Sequence, residues 1–168
     1  IAATLRFADG SIISGREMYA LAAGGGSTFE GTSGDDVLVG TEGNDIFIGS
    51  AGDDIMDGAG GDDLFLIEGR RQGRNRITGG AGFDTIRGGA GDDRITLTEL
   101  LVSDSIELID GGPGVNTITG TGGANTLDFS GTELRAIAAI DGRGGQDQIL
   151  GSAGDDVLIG GAGRDTLS

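Results

Sequence analysis

GTSGDDVLV, GTEGNDIFI, GSAGDDIMD and GAGGDDLFL follow one another without a gap from Gly31 to Leu66. Each nine-residue block opens with Gly, repeats Gly at its fourth place, carries Asp at its sixth and a large apolar residue at its eighth: Leu38, Phe47, Met56 and Phe65. Six residues of a block read as a turn and three as a short strand. Glycine at the first and fourth places admits backbone angles that other residues resist and lets turns approach closely. Along the strand, side chains alternate between faces, so the eighth-place residue points to the opposite side from its neighbours, inward. Two blocks complete one coil of a stacked ribbon, so each turn lies on the turn eighteen residues later, ~4.7–4.9 Å away. A column of aspartates at that spacing repels itself unless a cation lies between each pair, which couples folding to metal.

The frame extends to the last residue. Good blocks start at 31, 40, 49, 58, 79, 88, 111, 120, 142, 151 and 160, and degenerate ones occupy 70–78, 102–110 and 133–141. Extra residues, 67–69, 97–101 and 129–132, each precede a degenerate block, which restores the frame. The eighth-place residues of the degenerate blocks, Ile77, Ile109 and Ile140, remain apolar. The core position is therefore kept where the metal loop is not.

Composition narrows the chemistry. The 168 residues include 37 Gly, and 27 Asp and Glu stand against 11 basic residues, for a net charge of −16. All the basic residues are Arg; Lys, His and Cys are absent. Such a chain has too little apolar side chain to order so much glycine by burial alone. Without Cys there is no disulfide, and without Cys or His no structural zinc site. Abundant carboxylates and carbonyls suit a hard cation, calcium before magnesium. Excess acid argues against nucleic acid, and no apolar run approaches the ~20 residues of a membrane span. No conventional nucleophile–base pair exists without His or Cys. Nor do the glycine-rich turns read as phosphate cradles, since no Lys or helix follows them.

The nonapeptide pattern resembles the calcium-binding parallel β-helix repeat of RTX proteins. That resemblance implies an all-β, right-handed parallel β-roll of about seven coils over residues 31–168, behind a small cap at residues 1–30. It also implies a ligand set: carbonyls of the second and fourth places plus the sixth-place Asp on one turn, and carbonyls of the first and third places plus Asp on the next. Four pairs are intact by motif. Thr32, Gly34 and Asp36 face Gly49, Ala51 and Asp54; Thr41, Gly43 and Asp45 face Gly58, Gly60 and Asp63. Ala59, Gly61 and Asp63 face Gly79, Ala81 and Asp84; Arg143, Gly145 and Asp147 face Gly160, Ala162 and Asp165. Two pairs carry an uncharged Asn and are weaker: Gly89, Gly91 and Asp93 with Gly111, Pro113 and Asn116, and Thr121, Gly123 and Asn125 with Gly142, Gly144 and Asp147. Pairs that include a degenerate block are expected to hold no ion.

Within residues 1–30, Leu5–Ser14 alternates around Asp9-Gly10 as a hairpin, and Gly15–Ala23 has helical spacing. The segment is similar to the short FADG element that precedes repeats in haemolysin-type calcium-binding proteins. Its expected task, with Tyr19 and Phe29, is to cover the first coil. The fifth-place acids Asp35, Asp53, Asp62, Asp92 and Asp155 read as rim charges that gather cations. Arg70, Arg71, Arg74 and Arg76 read as a solvated loop, with guanidinium in place of a missing ion as the sharper alternative.

The resemblance implies a calcium-binding module that is no enzyme, folds outside the cell and supports type I secretion of a larger polypeptide. A structural stretch of an adhesin or surface-layer protein, with the insertions carrying lateral self-assembly contacts, is the second reading. An accessory module of a secreted protease, lipase or epimerase is the third. Ser168 closes on a repeat without a cap, which reads as a piece of a longer secreted or surface protein.

Overall fold

A computed structural model describes residues 5–6, 12–13 and 25–168. Strands β1 (Leu5–Arg6) and β2 (Ile12–Ile13) pair antiparallel, Leu5 with Ile13 and Arg6 with Ile12. The expected turn at Asp9-Gly10, the helix at 15–23 and Tyr19 lie outside the described residues.

The rest is a parallel β-solenoid. Strands run as β3 (Thr28–Glu30), β4 (Val37–Val39), β5 (Ile46–Ile48), β6 (Ile55–Asp57), β7 (Leu64–Leu66), β8 (Arg76–Thr78), β9 (Thr85–Arg87) and β10 (Arg94–Thr96). They continue as β11 (Leu108–Asp110), β12 (Asn116–Thr119), β13 (Thr126–Asp128), β14 (Glu133–Arg135), β15 (Ile137–Asp141), β16 (Gln148–Leu150), β17 (Leu158–Ile159) and β18 (Thr166–Leu167). A six-stranded sheet orders β14-β11-β9-β7-β5-β3, opposed by β4-β6-β8. Later coils build β10-β12-β15-β17 and β13-β16-β18. Most strands are short because the first-place Gly of the next block ends them, whereas β7, β10 and β13 run into the inserted residues Ile67, Leu97 and Phe129.

In-register columns of eighth-place residues fill the interior. The longest holds the eighth-place Phe47, Phe65, Ile86 and Ile109, extended at its ends by Phe29 before the first block and by Leu134 at the second place of the last degenerate block. Its first three rings stack with centroids 5.1 and 4.8 Å apart. The eighth-place residues of the degenerate blocks, Ile77, Ile109 and Ile140, are fully buried, whereas Leu38 and Leu158 near the ends are half-buried and Leu167 is exposed. On β5 and β7 the opposite face is also covered, with Ile46, Leu64 and Leu66 forming a second buried cluster.

The coil is not uniform, and here the expected eighteen-residue stacking needs correction. The spacing holds at both ends, from Phe29 to Phe47 to Phe65 and from Ile140 to Leu158. Between them it grows to 21 residues from Phe65 to Ile86, 23 from Ile86 to Ile109 and 25 from Ile109 to Leu134. End coils hold two strands, whereas β12 and β13 both lie between β11 and β14. The roll thus swells in its middle from two sides to three and narrows again. The inserted residues do the filling: Ile67, Leu97, Leu100 and Phe129 are all buried in the central cluster with Ile106. The apolar residues of the insertions are therefore core, which removes the reason for assigning them lateral contacts. An extra residue at Ala138 shifts the β12–β15 register between Asn116 and Thr117, as a bulge does.

Candidate metal centre

Sixth-place side chains sit on the rim between stacked turns, and nearly all are buried: Asp45, Asp54, Asp63, Asp84, Asp93, Asn116, Asn125 and Asp147. Asp36 and Asp165, at the two ends, are half-buried. Each upper side chain reaches down to accept the backbone N–H of the sixth-place residue one coil earlier. Asp36 donates to Asp54 Oδ1 at 3.0 Å, Asp45 to Asp63 at 2.7 Å and Asp63 to Asp84 at 2.9 Å. Asp93 donates to Asn116 at 2.9 Å, Asn125 to Asp147 at 2.8 Å and Asp147 to Asp165 at 3.0 Å. The two turns of each of the six expected pairs therefore lie directly one on the other.

The turns take two backbone forms. Turns opening at Gly49, Gly58, Gly79, Gly111, Gly142 and Gly160 rest on an intact turn of the previous coil. All six have positive φ at the second place (Ser50 68°, Ala59 70°, Gly80 106°, Gly112 72°, Arg143 71°, Gly161 90°). The fourth place is positive too: Gly52 126°, Gly61 102°, Gly82 137°, Gly114 122°, Gly145 116° and Gly163 145°. Turns opening at Gly31, Gly40, Gly88, Gly120 and Gly151 follow no intact nonapeptide block one coil earlier in the sequence, and neither place is positive. In these the second-place N–H caps the sixth-place side chain: Thr32 to Asp36 at 2.6 Å, Thr41 to Asp45 at 2.6 Å, Gly89 to Asp93 at 2.7 Å, Thr121 to Asn125 at 2.8 Å and Ser152 to Asp156 at 2.6 Å.

The two forms differ in the peptide joining the first and second places, which carries the first-place carbonyl. In the positive-φ form that oxygen overhangs the first-place Gly of the turn below. Gly49 O lies 2.6 Å from where a Cβ on Gly31 would stand, and Gly58 O lies 2.5 Å from the same point on Gly40. Gly111 O overhangs Gly88 at 2.5 Å, while Gly142 O over Gly120 and Gly160 O over Gly142 lie at 2.8 Å. A side-chain oxygen of the lower turn's own sixth-place residue enters the same space. This close approach is why only glycine serves at the first place.

Losing the N–H cap leaves oxygen bare. Asp54, Asp63, Asp84 and Asp147 each have a buried Oδ2 with no hydrogen-bond partner. Burial pushes Asp63 up to about 7 and Asp84 up to about 6, with Asp84 and Asp45 adding repulsion at Asp63 and Glu107 at Asp84. Burial raises Asp54 and Asp147 as well. At Asp63, Asp84 and Asp147 the orphaned oxygen lies beside a carbonyl of the segment above, an arrangement that fits a hard cation. Among the described residues no three Asp, Glu, His or Cys side chains converge on one point, so most oxygens here belong to the backbone.

A family model, the RTX calcium-binding nonapeptide repeat, matches in four copies at residues 30–65, 71–98, 103–131 and 139–168. The chain belongs to that family. The RTX module's parallel solenoid agrees with the resemblance read from the blocks, and its repeats are calcium-binding repeats. No curated protein and no solved structure matches the chain. Among the described residues no helix is long and apolar enough to cross a membrane.

Some polar roles in the RTX module were not legible beforehand. Fifth-place side chains reach the opposite way from the sixth, accepting an N–H from one coil later: Asp35 from Asp53, Asp53 from Arg74, Asp62 from Phe83 and Asp92 from Val115. They are hydrogen-bonding links between coils as well as rim charges. Ninth-place Asp57, Asp110 and Asp141 accept the second-place N–H of Ala59, Gly112 and Arg143 in turns of the positive-φ form. The block alternation offered no signal for either role. In the degenerate loop, Arg74 pairs with Asp53 and Arg70 with Asp92, both exposed. These guanidinium groups meet fifth-place rim acids, and the place beside Asp54 goes to Asn75, whose Oδ1 accepts the Asp54 N–H at 3.0 Å.

Proposed function

We propose that this RTX module is a calcium-dependent folding unit of a larger secreted protein, disordered where calcium is scarce and solid where it is abundant. The observation that carries this reading is the set of four buried, partnerless Asp Oδ2 atoms on stacked turns. Bound calcium supplies the positive charge that lets these carboxylates stay ionised out of water. Six pairs of turns hold the ions. Four use Asp on both turns: 32–36 with 49–54, 41–45 with 58–63, 59–63 with 79–84, and 143–147 with 160–165. Two use one Asn, Asn116 or Asn125, and bind more weakly. The inward-turned first-place carbonyls support this ligand set, because the peptides the resemblance assigns to a site below are the ones that are flipped. Six divalent ions carry about 12 positive charges against a net −16.

Extracellular modules of this kind bind with Kd of roughly 10⁻⁴–10⁻³ M, so the chain stays open in a calcium-poor cytosol, threads outward and folds after export. Residues 1–30 serve as the cap, since a repeat stack otherwise exposes an apolar end, and Phe29 begins the ring column at that end. The module carries no active site of its own: its buried carboxylates are committed to the turns. Circular dichroism in chelator and in millimolar calcium tests the reading. Strand signal that appears with calcium supports it, and equal strand content in both sinks it.

A further inference from the structure

We propose that one degenerate repeat has kept a cation site: calcium binds between the turn Gly79–Asp84 and the segment Ser105–Glu107, with Asp84 and Glu107 as its two carboxylates. This rests on the calcium reading of the roll and adds a site where the nonapeptide pattern is lost.

Glu107 stands at the sixth place of the degenerate block. Its Oε2 accepts the Asp84 N–H at 2.8 Å, the bond that an Asp or Asn makes in the six expected pairs. The segment is held in place by the backbone: Glu107 and Leu108 N–H donate to the Asp84 carbonyl at 3.2 and 3.1 Å, and Gly79 N–H donates to the Asp104 carbonyl at 2.7 Å. Ser105 lies in the left-handed region, φ 51° and ψ 64°. Its carbonyl oxygen overhangs Gly79, in the space a Cβ there would fill, as first-place carbonyls overhang the glycines of the intact pairs. Asp84 Oδ2 enters that same space. Asp84 is 0% exposed and this oxygen has no partner. A backbone carbonyl, an orphaned carboxylate oxygen and a second carboxylate therefore come together with no hydrogen-bond donor at Oδ2, an all-oxygen set of the kind calcium takes.

The other two degenerate blocks are closed by amides. Asn75 takes the Asp54 N–H with a neutral side chain, and no carbonyl from above overhangs Gly49. Over Gly111, Asn116 Nδ2 donates to the Ala136 carbonyl at 3.1 Å, so an N–H already occupies that space. Of the three, the 102–110 block retains charge and bare oxygen together. Glutamate's extra methylene replaces reach that the shortened turn has lost.

Calcium bound per chain at saturation, by equilibrium dialysis, tests this on the whole chain and on Glu107→Gln. Gln keeps the length and an oxygen for the Asp84 N–H, and loses only the charge. The expected result is seven ions in the parent and, in the variant, one of the seven bound more weakly, as in the Asn-bearing pairs. A parent count of six, or a variant whose binding curve is unchanged, overturns the site. A parent that binds no calcium overturns the calcium reading itself, and this inference with it. Should Glu107→Gln fail to fold in calcium, Glu107→Asp is read instead: weakened binding of one ion supports the site, and unchanged binding overturns it.

Discussion

Gly49–Asp54 and Gly151–Asp156 have the same six residues, GSAGDD, in the two different forms. Replacing the fourth-place glycine of each by alanine should therefore give opposite results from identical local sequence. At Gly52, φ is 126° and a Cβ would press into the carbonyl of Gly34 one coil below. A side chain at such an angle costs about 1–3 kcal/mol in backbone strain. Relieving the clash spreads the coils, which weakens the 3.0 Å bond from Asp36 to Asp54 Oδ1 at about a further 1 kcal/mol. At Gly154 the backbone lies outside the left-handed region and the nearest atom is Ser152 Oγ, 3.6 Å away. Alanine there restricts the unfolded chain and stabilises by about 0.4–1 kcal/mol. The two variants should differ by roughly 3–4 kcal/mol, about 10 °C in Tm for a domain of this size. Thermal unfolding in saturating calcium, followed by circular dichroism, reads the difference. Equal shifts for Gly52→Ala and Gly154→Ala would refute the view that the turn below dictates the form above.

The buried carboxylates predict a pH dependence of definite sign. Asp63 is pushed up to about 7 in the fold, against ~3.9 when unfolded, so the calcium-free roll is favoured by acid. Its stability falls as pH rises from about 4 and this loss is complete above about 7, up to about 4 kcal/mol at 1.36 kcal/mol per pKa unit. Asp63→Asn should raise the strand signal remaining in chelator at pH 7.5, flatten its pH dependence and weaken binding of two calcium ions; less residual strand than in the parent would contradict the assignment. Phe129→Ala tests the swollen middle: a fully buried ring costs about 3–5 kcal/mol when truncated, whereas a surface insertion would lose almost nothing in urea unfolding.

What could be read from the linear chain was whatever depends on period and composition. An apolar residue every ninth position, glycine on either side of each bend and a large acid excess admit few packings. Hence Phe47, Met56, Ile77 and Ile140 were placeable in the core before any coordinates, even across degenerate blocks. The pairs of turns followed as well, because frame-restoring insertions preserve which turn meets which. Register lengths, the third side and the inward course of Ile67, Leu97, Leu100 and Phe129 did not follow, since an insertion's direction depends on the space around it.

The chain alone determined the ladder, its interior and its appetite for cations. Only the three-dimensional stack decided the state of each bend. Ser50 and Ser152 sit in the same hexapeptide, yet one lies at φ 68° and the other caps Asp156 with its N–H. With glycine at the first and fourth places the two forms are close in local energy, so the neighbour beneath tips the balance. An intact turn below accepts the flipped peptide and buries the aspartate; without one, the bend folds its own amide back onto the carboxylate.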